Sequence, residues 1–146
     1  MTRILGLDYG AKTVGVAVSD LLGITANPLT IIRRERENKL RKTLAAIETI
    51  MEEYEVSLIV LGFPRNMDGT AGIRCEKTLA FKEMLEERTS VPIVLWDERL
   101  TTVEAEEIMD AQNIARKDFK KYVDQIAAAI ILQGYLDDPH TETRLK

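Results

Sequence analysis

The tightest constraint on the fold of this chain lies at its start. Two apolar runs, residues 3–9 and 13–20, are separated only by Gly10-Ala11-Lys12. A link that short joins antiparallel neighbours, because a parallel return needs a crossover of a dozen residues or more. The chain therefore opens as a β-hairpin. Ile24 to Ile32 reads as a third strand. Pro28 inside it removes a ladder donor, which suits an edge position.

After this all-β start the periodicity changes. From Glu37 to Tyr54 the apolar residues Leu40, Leu44, Ile47, Met51 and Tyr54 recur at steps of four and three, the pattern of a helix with one buried stripe. Val56 to Leu61 is a short apolar run expected to form a buried parallel strand. Gly62-Phe63-Pro64 closes it, and a loop rich in turn formers leads to Gly72. A helix over Arg74 to Arg88 follows, then a strand over Val91 to Trp96 that runs into Asp97-Glu98-Arg99. Thr101 and Glu104 have capping-box spacing and predict a helix from about Thr102. The last helix spans Asp118 to Leu136. Its middle, Ile126 to Leu132, is apolar nearly all round and should lie deep against the sheet.

This order implies an α/β protein with a mixed five-stranded sheet, antiparallel at one side and parallel at the other, flanked by helices. The 146 residues suffice for one core. One domain over residues 1–138 with a tail over 139–146 is expected. No run approaches the roughly 20 apolar residues of a membrane span, and no secretory signal is visible, so a cytoplasmic protein without membrane contact is expected. Cys75 is the single cysteine, which rules out an internal disulfide and a cysteine zinc site. The net charge of −4 disfavours general polyanion binding but leaves room for a local basic surface. Residues 33–42 hold six basic and two acidic residues, and residues 116–121 hold four basic and one acidic.

Ligands of such sheets gather beyond the carboxyl ends of the parallel strands. Asp8 and Asp97-Glu98 both lie at strand carboxyl ends. A carboxylate there costs desolvation unless a positive side chain or a metal ion meets it. On the last helix, Asp124 shares a face with Lys121 and precedes Ala127 and Ala128 by one turn. Small residues at those positions would let the helix approach the sheet closely and carry Asp124 toward Asp8. Converging carboxylates repel one another. A divalent cation removes that penalty, and hard oxygen donors suit Mg²⁺ or Mn²⁺. A simple Asp124–Lys121 surface pair is the alternative.

Four blocks, Ile4-Leu5-Gly6-Leu7-Asp8-Tyr9-Gly10, Gly62-Phe63-Pro64-Arg65-Asn66-Met67-Asp68-Gly69-Thr70, Trp96-Asp97-Glu98-Arg99-Leu100-Thr101-Thr102 and Lys121-Tyr122-Val123-Asp124-Gln125-Ile126-Ala127-Ala128, occur in this order. Together they resemble the signature blocks of the YqgF family. The resemblance implies a ribonuclease H-like fold related to the RuvC resolvases. It also implies a metal-dependent nuclease that uses Mg²⁺ or Mn²⁺ and processes the 5′ end of pre-16S ribosomal RNA. A Holliday junction resolvase and a noncatalytic nucleic-acid-binding module are the other readings. By the same resemblance Asp8, Glu98 and Asp124 are the catalytic metal ligands. Glu98 is preferred over Asp97 on that ground, since strand parity does not choose between them. Arg65, Asn66, Arg99, Lys120 and Lys121 are the expected nucleic-acid contacts. Structured RNA is the favoured partner, branched DNA the second, and the protein is expected to be a monomer or homodimer. The chain departs from the RuvC pattern at its fourth strand, which ends in Gly62-Phe63-Pro64 where the resolvases carry an acid.

Overall fold

In the computed structural model of this chain the described residues are 2–64, 72–97, 111, 113 and 115–137, without the side chains of 116 and 119–125. The chain opens with β1 (Arg3–Tyr9) and β2 (Thr13–Ser19), the antiparallel hairpin that its short link requires. Strand β3 (Ala26–Arg33) pairs antiparallel with β2, and β4 (Val56–Phe63) and β5 (Ile93–Asp97) add parallel strands beyond β1. The sheet order is β3-β2-β1-β4-β5. Pro28 falls on the edge strand β3 opposite Ala17, where the ladder shifts register. A missing donor costs least at such a place.

Helix α1 (Arg41–Glu53) buries Leu44, Ile47 and Met51, with Leu40 buried at its N-cap. Burying each such side chain contributes about 1.5–3 kcal/mol. The helix starts four residues later than the periodicity suggests. Residues 34–40 stay irregular, and Glu37 reaches across to Arg74 and Lys77. Helix α2 (Ile73–Glu86) buries Cys75, Thr78, Phe81 and Leu85. Strand β4 runs two residues past its expected end because Gly62 and Phe63 pair with Trp96 and Asp97 of β5. The last helix, α3 (Phe119–Asp137), follows a 3-10 turn at Arg116–Asp118. The helix expected near Thr102 and the tail from 139 lie outside the described residues.

The sheet separates two cores. Leu5, Leu7, Val14, Val16, Ile59 and Leu61 face α1 and α2. Ile4, Ala17, Leu58 and Val60 face α3, where Ala128, Ile131, Leu132 and Tyr135 cover them. Alternation along β1 thus puts Ile4, Gly6 and Asp8 on the α3 face. No helix among the described residues is long and apolar enough to cross a membrane.

Candidate functional site

Asp8 stands on β1 between Leu7 and Tyr9, which are both buried toward the opposite core. It is half-buried. Its cross-strand partner on β2 is Gly15. On the other side Gly62 follows Leu61, the β4 partner of Leu7.

The position of α3 relative to Asp8 is fixed by three described contacts. Gly6 marks a tight approach: a Cβ there would lie 2.7 Å from the Leu132 Cβ and 2.9 Å from the Ala128 carbonyl oxygen. Farther along the helix, Gln133 clasps the start of the edge strand. Its Nε2 donates to the Ile24 carbonyl at 2.9 Å, and its Oε1 accepts from the Ala26 N–H at 2.9 Å. Ala26 pairs with Ser19, whose hydroxyl accepts the Ile4 N–H at 2.9 Å. The C-terminal half of α3 therefore lies at the amino end of β1. Its N-terminal turns run toward the carboxyl end, where Asp8 is.

Asp124 precedes Ala128 by one helical turn, about 6 Å along the axis. Asp8 follows Gly6 by two strand residues, about 6.6 Å, on the same face. The two displacements are of similar length, and both run toward the carboxyl end of β1. The expected close approach through Ala127 and Ala128 is present, and both are buried. The feature the sequence reading passed over was the other half of the contact, Gly6. A glycine inside an apolar strand is itself a signal of close backbone approach.

At the far side, β5 settles a parity. Trp96 packs on the α3 face, edge-on to Tyr135 with ring centroids 6.0 Å apart. Ile93 packs on the other face. Asp97, one residue after Trp96, therefore stands on the face opposite Asp8. Glu98, Arg65, Asn66 and Arg99 lie outside the described residues. Asp124, Lys120 and Lys121 belong to α3 by backbone, and their side chains lie outside the described residues.

A second group surrounds the end of β1 on the α1 and α2 side. The Tyr9 ring stacks on Phe81, centroids 4.3 Å apart. The Arg34 guanidinium lies 4.8 Å from the Tyr9 ring centroid and that of Arg74 lies 5.6 Å away. Arg34 Nη2 donates to the Gly10 carbonyl at 2.5 Å and Nε to the Glu37 carbonyl at 3.2 Å. Its backbone N–H donates to the Lys12 carbonyl at 2.9 Å. Arg34 thus braces the turn that directly follows Asp8. The Glu37 carboxylate accepts from Lys77 at 2.9 Å and pairs with Arg74. These two partners, Lys77 first, hold its pKa below the ordinary glutamate value. The charge run at 33–42 was visible in the sequence, whereas Arg74 carried no signal before the tertiary pairing was known. Asp20 serves a turn, accepting the Ile24 N–H at 2.8 Å.

Comparison with known proteins gives a consistent picture. Residues 2–138 match the family model RuvX, described as Holliday junction resolvase. A protein of Agathobacter rectalis, named "Putative pre-16S rRNA nuclease", is 58% identical over 135 residues, covering 92% of this chain and 94% of that protein. One from Clostridium acetobutylicum with the same name is 51% identical, covering 92% and 98%. Among solved structures, the fowlpox virus Holliday junction resolvase aligns with a TM-score of 0.56 at 14% identity, over 93% of this chain and 98% of that one. Thermus thermophilus RuvC aligns with a TM-score of 0.51 at 11% identity, over 89% and 92%. At such identities these structures speak for the fold, which is ribonuclease H-like.

Proposed function

This chain belongs to the RuvX family, also called YqgF, a family of nucleases, and from that premise we propose that it is a divalent-metal-dependent phosphodiesterase that trims the 5′ end of pre-16S ribosomal RNA. The observation that carries the reading is the matched offset of Asp8 and Asp124 from the Gly6–Ala128 crossing. It supports the meeting of two carboxylate-bearing positions from distant parts of the chain at one end of the sheet. The parity of β5 supports Glu98 as the third, because Asp97 stands on the wrong face.

The donor chemistry fits a hard divalent ion: Asp8 brings a carboxylate to a half-buried strand end flanked by glycines. Asp8, Glu98 and Asp124 would hold Mg²⁺ or Mn²⁺. When bound, such an ion lowers the pKa of a water and stabilises charge on the phosphate oxygens. The chain's own contribution is positional. Gly6 lets α3 seat against β1, Arg34 braces the turn after Asp8, and Arg65, Asn66, Arg99, Lys120 and Lys121 would hold the phosphate backbone.

The choice of pre-16S rRNA rests on the names of the relatives. The junction-resolving reading rests on the description of the family model. The test compares wild type with Asp8→Asn on a precursor 16S 5′ segment and on a four-way DNA junction, with Mn²⁺ added. Metal-stimulated cleavage of the RNA that falls by about 100-fold or more in the variant is expected, since even groups that only orient a metal ligand are worth 10–100-fold. Stimulated cleavage untouched by the substitution would sink the site, and cleavage of the junction alone would overturn the RNA assignment.

A further inference from the structure

A cleft of about 540 Å³ opens between the end of β3 and the start of α1. Arg33, Arg34, Lys39, Arg41 and Lys42 line it, and Glu35 is the one carboxylate in the lining. Glu37, the other acid of the segment, is turned away to Arg74 and Lys77. Among the described residues no ion pair engages any of the five cations. Arg34 Nη1 is buried without a hydrogen-bond partner among the described residues. Residues 33–42 carry six basic and two acidic side chains, a local +4 in a chain of net charge −4.

Five cations without an ion-pair partner among the described residues surround one concavity and repel one another. Two of them, Arg41 and Lys42, also sit in the first turn of α1, where the helix dipole disfavours positive charge. No acid stands in that turn and no side chain caps it. A chain of phosphates would relieve this repulsion.

The cleft also lies at the right end of the molecule. Arg33 pairs with Thr13, and Arg34 bonds to Lys12 and Gly10, two residues beyond Asp8. Two strand spacings, about 10 Å, separate β3 from β1. Asp8 faces α3 and the cleft opens on the α1 side, so a strand joining them crosses the Gly10–Thr13 turn, where Lys12 is exposed.

We propose that this cleft is a binding site for the phosphodiester backbone of the RNA substrate, a role that rests on the nuclease reading for the strand's destination. Arg33, Lys39, Arg41 and Lys42 contact phosphates, and Arg34 links the bound strand to the turn behind Asp8. The site supplies affinity and sets the direction in which the strand enters.

The test is fluorescence anisotropy with a labelled single-stranded RNA, in EDTA so that nothing is cleaved. Lys39, Arg41 and Lys42 are exposed, so Lys39→Gln/Arg41→Gln/Lys42→Gln leaves the packing intact. Lys82→Gln/Arg88→Gln removes charge from α2 and the residues just after it. The cleft variant should bind about 10- to 100-fold more weakly at about 0.1 M salt, and its salt slope should be shallower by about 2, near 0.7 per lost phosphate contact. The control should stay within about twofold of wild type. Unchanged binding in the cleft variant, or an equal loss per charge in the control, would overturn the proposal. The catalytic reading fails separately: if Asp8→Asn cleaves like wild type while the cleft variant loses binding, the cleft stands and the active-site assignment does not.

Discussion

Leu132 rests on Gly6 with no room between them for a methyl group. A Cβ at position 6 would come within 2.7 Å of the Leu132 Cβ and 2.9 Å of a backbone oxygen. This crossing fixes how deep α3 sits, and with it the level of Asp124 relative to Asp8.

Gly6→Ala should therefore cost about 1–3 kcal/mol, the usual range for overpacking a tight core. The Ala128 carbonyl cannot step aside as a flexible side chain could. Urea unfolding measures the loss. Cleavage under conditions where the variant remains folded should also fall, because α3 must lift to admit the methyl group. A variant as stable as wild type would mean that the crossing is looser than described.

Asp97 and Glu98 should behave oppositely. Asp97 lies on the face away from Asp8, so Asp97→Asn should keep metal-stimulated cleavage within a few-fold of wild type. Glu98→Gln should lower it by about 100-fold or more, since even the outer-shell partners of a metal ligand are worth 10–100-fold. Parallel rate measurements at saturating Mn²⁺ decide. A reversed order of effects would move the third ligand to Asp97 and require the strand to turn over before its end.

Glu37 ties the irregular segment before α1 to α2 through Lys77 and Arg74. Its pKa is lower folded than unfolded, so the unfolded chain binds more protons across that window and stability rises with pH. The contribution is fully present above the ordinary glutamate value of about 4 and is lost as the pH falls through the lowered folded value. Glu37→Gln should thus be less stable than wild type at pH 7, by up to about 1 kcal/mol for a partly exposed pair. The gap should close toward pH 3. Urea midpoints at the two pH values test this, and a gap independent of pH would show that the ion pairs are not its source.

Much of the architecture was legible because it depends on local rules. The three-residue link at 10–12 dictates a hairpin, Pro28 marks an edge, and the spacing of Leu44, Ile47 and Met51 dictates which face of α1 is buried. The apolar middle of α3 announced a buried helix, and Ala127 and Ala128 announced a close approach. Where the reading slipped, a partner distant in sequence was responsible. Residues 37–40 look helical by period, yet Glu37 is drawn to α2. Strand β4 outlasts its glycine because β5 offers Gly62 and Phe63 ladder partners.

Of the candidate site, the sequence by itself determined the chemistry: which carboxylates end strands or lie ahead of small helical residues, and where basic charge concentrates. Only the tertiary structure decided which way α3 runs against β1, which face Asp97 takes, and that the cations of residues 33–42 surround a cleft. Those outcomes depend on strand register, on the meeting of Gly6 with Leu132, and on ion pairs between segments some 40 residues apart such as Glu37 and Lys77. Periodicity records the direction in which a side chain points from its own backbone. It carries no information about which other segment stands there to meet it.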